Sequence, residues 1–284
     1  MTSTTSRIAK LGALAAPVVL ALLALQAPAA ALMQAEGPDR WGPNPNASAN
    51  GGRVDTLFWV ITALVSVSFL IVLLMLLVTV LRDRARPGVK ARYDHGSSLH
   101  DKRFTAGVSV AVFLLLDASV LWITMHDLRE TVWNIPTGTQ NVLRVEVLAQ
   151  QWAWNFRLPG ADNEFGTPDD IVTINHLHVP QGRPVVVHGS SKDVIHSFFV
   201  PDMRIKRDVN PGSINKVWFQ AEKPGDYEIL CAELCGFAHY QMHGTLTVVP
   251  PDRWDAWQAE ASHIAQATYD ENDTEARWAW DWKE

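Results

Sequence analysis

The sequence predicts an all-β exported domain tethered by a two-helix membrane hairpin. Three observations predict it: two long apolar runs in the first half, seven basic residues between them, and a second half of short apolar stretches separated by turn signals.

The first 31 residues place Arg7 and Lys10 ahead of the apolar run LGALAAPVVLALLALQAPAAAL, which carries the small residues Ala27, Ala29, Ala30 and Ala31 near its end. A basic start, an apolar middle and a small-residue end make a removable export signal. An exported linker, 32–55, follows. The run TLFWVITALVSVSFLIVLLMLLVTVL at 56–81 contains no charge, and FTAGVSVAVFLLLDASVLWITM at 104–125 contains only Asp117. Each reaches the roughly 20 apolar residues that span a bilayer as a helix. Between them, 82–103 holds Arg82, Arg84, Arg86, Lys90, Arg92, Lys102 and Arg103, a short basic loop that stays in the cytoplasm. Both outer flanks are then exported, the topology that the signal independently requires. Asp117 is not expected to face lipid; a polar group on a partner helix is its expected contact, structural or proton-relaying.

Of the 284 residues, the last 35 carry nine acids and three bases, which accounts for the whole net charge of −6. An acidic balance of this kind does not suggest nucleic acid, whose electrostatic footprint would be basic. The tail, 251–284, with RWDAW and RWAWDW, reads as a helix followed by an acidic aromatic segment that packs on a neighbour or on the domain.

After a connector at 126–140, residues 141–250 alternate as short strands. VLRVEVLAQQWAWNF, DIVTINHLHVP, RPVVVHGS, DVIHSFFVP, SINKVWFQA, GDYEIL and GTLTVV are separated by LPGADNEFGTPDD, PQGRP, NPGS and KPGD. Strands at this spacing with Pro-Gly and Asn-Pro turns argue for an antiparallel sandwich or barrel rather than an α/β fold.

The loop before GTLTVV, CAELCGFAHYQMHG at 231–244, holds both cysteines of the chain with His239 and Met242. An exported pair of cysteines is by default a disulfide, but Cys231 and Cys235 would close a ring with three residues between them, which gains little loop entropy. Zinc accepts thiolate and imidazole but is poorly served by a thioether, whereas soft sulfur suits copper. One copper of the blue type leaves a thiolate surplus; two thiolates can bridge two coppers. The loop then supplies Cys231, Cys235, His239, Met242 and the Glu233 carbonyl. His196, at a strand end in DVIHSF, is the candidate second imidazole. His176, His178, His188 and His243 have no such setting.

DVIHSF followed by CAELCGFAHYQM, with QWAW upstream and KRDVNPG between, behind two membrane spans, resembles subunit II of the haem-copper cytochrome c oxidases. The resemblance covers residues 56–249. It implies a cupredoxin-like Greek-key barrel carrying a dinuclear copper A centre, with Cys231 and Cys235 as bridges, His196 and His239 as imidazole ligands, and Met242 and the Glu233 carbonyl as weak ligands. It also implies a magnesium ion reached by the Glu233 side chain at the boundary with subunit I. On the same resemblance, electrons would arrive from cytochrome c, or a cytochrome c domain, at Trp152 and leave for haem in subunit I, where oxygen would be reduced. Asp193, with Asp162, Glu164, Asp169 and Asp170, is expected to steer a basic donor. The chain has no C-x-x-C-H sequence, so the donor's haem is on another protein. The implied setting is a bacterial inner membrane with two spans in lipid and a periplasmic C-terminal domain.

The sequence departs from that family in two places. Ala153 stands where a tyrosine is frequent between the tryptophans, and SSLHDKRFTAGVS lacks the glutamate that marks a proton-uptake entrance, leaving His100 or Asp101 as substitutes. Three readings compete: a quinol oxidase subunit, which shares the hairpin and barrel but needs no full ligand set, a nitric oxide reductase subunit with the same copper centre, and a disulfide-stabilised membrane-anchored binding module.

Overall fold

The computed structural model describes residues 44–90, 95–138, 141–273 and 282; the export signal and the Trp-rich end of the tail lie outside the described residues. The chain forms two compact units, divided near residues 54 and 127.

The first unit is built on two long helices. Helix α1 runs Gly51–Arg82 and helix α2 Leu99–Trp133, each apolar enough to cross a membrane. Both exceed the apolar runs that predict them, because the helix continues through polar flanks: α2 adds two turns beyond Met125, ending in the wide turn Arg129–Trp133. The start of α2 is capped locally. The Ser98 Oγ accepts the Asp101 N–H at 3.1 Å, and the Ser98 hydroxyl donates to the Asp101 carboxylate, so Ser98 caps the helix and engages the Asp101 side chain.

The second unit is a barrel-like sandwich of two five-stranded sheets. One contains β1 (Leu143–Gln150), β2 (Ala153–Leu158), β3 (Ile171–Ile174), β5 (Pro184–Ser191) and β8 (Asn215–Gln220), in the order β3-β2-β1-β5-β8. The other contains β4 (His176–Pro180), β6 (His196–Val200), β7 (Ile205–Val209), β9 (Gly225–Cys231) and β10 (His243–Val249), in the order β4-β10-β9-β6-β7. The period of two is visible in β1, where Leu143, Val145, Val147 and Ala149 all point inward and are fully buried. Trp154, Phe156, Phe198, Ile229 and Leu246 meet them from the other strands.

The pairing is mixed rather than purely antiparallel: β1 runs parallel to β5, and β10 parallel to β4. Three strand readings change as well. VLRVEVLAQQWAWNF folds as two strands with a turn at Gln151–Trp152, and Ile205–Val209 is a strand that its alternating charges conceal. DIVTINHLHVP divides between the two sheets at Asn175, whose φ of 59° is the left-handed conformation that asparagine tolerates. Asn175 Oδ1 accepts the Trp154 N–H at 2.8 Å, holding that switch point.

Two flanking segments lie on the second unit. The end of the exported linker forms a bridge from Ser48 to Ala221, with the Glu222 N–H donating to the Ala47 carbonyl at 2.8 Å. Helix α3, Pro251–Ala267, starts with proline at its first position and packs on its own domain. Trp254 is buried, and Trp257 stacks on His178 with ring centroids 4.5 Å apart.

Candidate metal centre

Strand register builds the centre. In the antiparallel pair β6–β9, Phe198 stands opposite Cys231, and His196, two residues earlier on the same face, is thereby brought beside the loop that follows Cys231. That loop returns through a single helical turn, His239–Gln241, into β10. Rigid strands fix both ends of a loop whose own geometry is irregular.

The six positions singled out by the sequence are brought together. The two thiol sulfurs lie 3.7 Å apart, His196 Nδ1 is 3.9 Å from Cys231 Sγ, and His239 Nδ1 is 3.5 Å from Cys235 Sγ. Met242 Sδ is 3.8 Å from Cys235 Sγ, and the Glu233 carbonyl is 3.2 Å from Cys231 Sγ. His196, Cys235 and Met242 are buried. A disulfide has its sulfurs about 2.05 Å apart, so the cysteines are free thiols.

A metal pair fits these positions. The sulfur–sulfur and sulfur–nitrogen separations of 3.5–3.9 Å leave room for a metal ion between the donors. One imidazole flanks each sulfur, and one weak donor, a thioether or a carbonyl, accompanies each. The donor set is soft, as copper prefers.

The electrostatics favour anionic sulfur at one position. Burial alone would raise the Cys231 thiol, but hydrogen bonds from His196, the backbone at Ser197 and Glu233, and Cys235 outweigh it and bring it down. Burial and the neighbouring Cys231 push Cys235 up. Without metal the pair thus retains a proton that bridging metals would displace.

Around this core, three contacts tie the loop to the β1–β2 turn. Asp193 Oδ1 lies 2.9 Å from His196 Nε2, the ring nitrogen opposite the one facing Cys231. Asp193 Oδ2 accepts the Gln151 N–H at 2.7 Å. The Gln151 side-chain amide donates to the Cys235 carbonyl at 2.8 Å. Burial would raise the Asp193 carboxyl, yet these bonds and the Val194 N–H hold it below the usual range. Gln151 is the site residue that sequence reasoning missed, although it stands immediately before Trp152.

Trp152 is 37% exposed, and its indole lies against Gly236 of the metal loop, where a side-chain carbon would come within 3.2 Å of it. Leu234, Phe237 and Tyr240 are also exposed on that loop. Trp154, by contrast, is fully buried and packs edge-on to Phe198.

The proposed steering acids separate. Asp193 is engaged with His196 and remains partly exposed, and Asp162 and Glu164 are exposed. Asp169 is used in its own turn, accepting the Ala161 N–H and the Thr167 hydroxyl. Asp170 is buried against Arg157 at 3.3 Å and cannot serve a surface role.

The family profile described as "Cytochrome C oxidase subunit II, periplasmic domain" matches residues 143–249. An "Alternative cytochrome c oxidase subunit 2" of Bradyrhizobium diazoefficiens is 30% identical over 275 residues, covering 89% of this chain and 94% of the relative. A "Cytochrome c oxidase subunit 2" of Cereibacter sphaeroides is 28% identical, over 79% of this chain and 81% of its own. Among solved structures, the periplasmic domain of subunit II of cytochrome oxidase from Bradyrhizobium japonicum is 28% identical, covers 46% of this chain and 98% of that one, and gives a TM-score of 0.38. With its two membrane-crossing helices and its β-domain, the chain belongs to the cytochrome c oxidase subunit II family and is a subunit of an oxidoreductase complex.

Proposed function

We propose that this chain is the electron-input subunit of a membrane terminal oxidase. It takes electrons singly from a cytochrome c, or a cytochrome c domain, and delivers them to haem in subunit I, where O2 is reduced to water. The observation that carries the reading is the pair of free thiols 3.7 Å apart, flanked by His196, His239, Met242 and the Glu233 carbonyl. Two copper ions held there, as copper A, would supply one-electron redox chemistry.

The chain's own residues prepare that chemistry. Cys231 and Cys235 hold the bridging positions, His196 and His239 the imidazole positions, and burial of Met242 and Cys235 excludes water from one side. Asp193 orients the His196 ring by taking its outer nitrogen. Trp152, exposed and seated on Gly236, offers the donor a π-system in contact with the metal loop. Asp193, Asp162 and Glu164 are the acids left to attract a basic donor. The Glu233 side chain is exposed and free to reach a magnesium ion at the subunit I boundary. The two membrane helices hold the β-domain on the periplasmic side of a bacterial inner membrane.

The test is copper content and electron paramagnetic resonance of the full chain in detergent. Two coppers per chain, with one unpaired electron shared equally between both nuclei, is the expected result. A folded protein with Cys231 and Cys235 oxidised to a disulfide and no copper would overturn it.

A further inference from the structure

The second membrane helix carries one ionisable side chain inside its apolar run, Asp117. Met125, at the exported end of the run, is about 12 Å of helix away, and Phe104, at the cytoplasmic end, is further. The carboxyl therefore lies well within a hydrocarbon layer about 30 Å thick.

Several hydroxyls in α1 and α2 are accommodated by their own helices. The hydroxyls of Thr62, Ser68, Thr79 and Ser119 donate to the carbonyls of Phe58, Leu64, Leu76 and Leu115 at 2.7–2.8 Å. A hydroxyl can do this because it brings a proton. The Asp117 carboxyl makes no such bond to its own helix; an ionised carboxylate could only accept, and mid-helix N–H groups are already committed to the helix ladder. The hairpin offers no cation either, since neither apolar run contains lysine, arginine or histidine.

Asp117 also ends a π turn, Phe113–Asp117, in an otherwise α-helical stretch. Such a turn inserts one residue and re-phases the helix on either side of it, and it is found frequently at functional positions. Asp117 is exposed, and none of the span's most apolar window is buried within the chain.

We propose that Asp117 is the point where α2 docks on a transmembrane helix of the haem-bearing subunit, one that presents a hydrogen-bond donor (arginine, lysine, histidine or a hydroxyl) at the same depth. An intramembrane carboxylate demands such a partner, and among the described residues this chain supplies none. The proposal rests on the electron-input reading only in using haem to mark the partner.

The test uses the full chain, affinity-tagged and expressed with its native complex, and purified from membranes in mild detergent. Haem and copper per chain are measured for the parent, Asp117→Leu and Asp117→Asn. Leucine makes the span more apolar, so insertion is not impaired, and haem is normalised to inserted chain. Asp117→Leu is expected to lower co-purified haem about three- to tenfold, the scale of one interhelical hydrogen bond. Asp117→Asn, which keeps an acceptor, is expected to stay near the parent; a fall equal to that of Asp117→Leu would also support the docking contact and make the partner a cation. Parental haem in Asp117→Leu overturns the proposal. Copper per chain tests the other reading separately: its absence from the parent would strike the metal centre and leave the docking result standing.

Discussion

The Asp193 carboxylate stands 2.9 Å from His196 Nε2 while His196 Nδ1 faces Cys231. A ligating imidazole held this way by a carboxylate is fixed in tautomer and orientation, and loss of such partners costs roughly 10–100-fold in metal affinity. Asp193→Ala is therefore expected to weaken copper binding by about that factor, with Asp193→Asn intermediate. Competition against a copper chelator measures it. Unchanged affinity in Asp193→Ala would reduce Asp193 to a surface acid.

Gly236 has a φ of +124° and faces the β1–β2 turn so closely that a side-chain carbon would lie 2.8 Å from Gln151 Nε2 and 3.2 Å from Trp152. Alanine there is strained in its backbone and crowds Gln151 and Trp152. Gly236→Ala should cost about 1–3 kcal/mol in urea unfolding and slow reduction by cytochrome c by displacing Trp152. Parental stability together with a parental rate would show that the loop and the Trp152 turn are independent.

The candidate metal loop was legible because the side chains that could ligate are local in sequence and chemically conspicuous: Cys231, Cys235, His239 and Met242 lie within twelve positions. Contacts that depend on distant pairing were not. The bond from Gln151 to the Cys235 carbonyl joins residues 84 apart, and glutamine carries no metal or charge signal of its own. Asn175 reads as one more polar residue within a strand until the sheet switch gives it a reason. Arg157 alternates with apolar residues like a solvent-facing side chain, yet it is fully buried between Asp170 and Glu146. Alternation shows that two faces differ without showing which neighbours cover them.

Glu233 presents two donors that are chemically separable. Its carbonyl oxygen lies 3.2 Å from Cys231 Sγ, whereas its side chain is exposed. Glu233→Gln keeps the backbone, so the copper content and the copper resonance should remain parental. If the side chain holds magnesium, the same variant should lose the resonance of Mn2+ substituted for it in the assembled complex. Copper loss in Glu233→Gln would mean that the side chain supports the loop instead.

Asp170 gives the domain a pH dependence whose sign is unusual for a carboxylate in an ion pair. Burial, followed in size by the opposing effects of the Gly166 N–H and Arg157 and then by Asp169 and Asp162, sets its pKa at about 6, above the ordinary 3.8. The folded state thus holds the proton more tightly than the unfolded chain. Stability from this group is fully present below about pH 4 and is lost as pH rises through 6, by about 3 kcal/mol at most. In Asp170→Asn that dependence disappears, although Arg157 then relies on Glu146 alone. The difference between variant and parent isolates the effect, because the thiols, histidines and remaining acids are common to both. Urea unfolding of the full chain in detergent at pH 4, 5, 6 and 7 should show that difference moving in favour of the variant by about 2 kcal/mol. A difference that stays flat across those four values would mean Asp170 remains ionised beside Arg157 throughout.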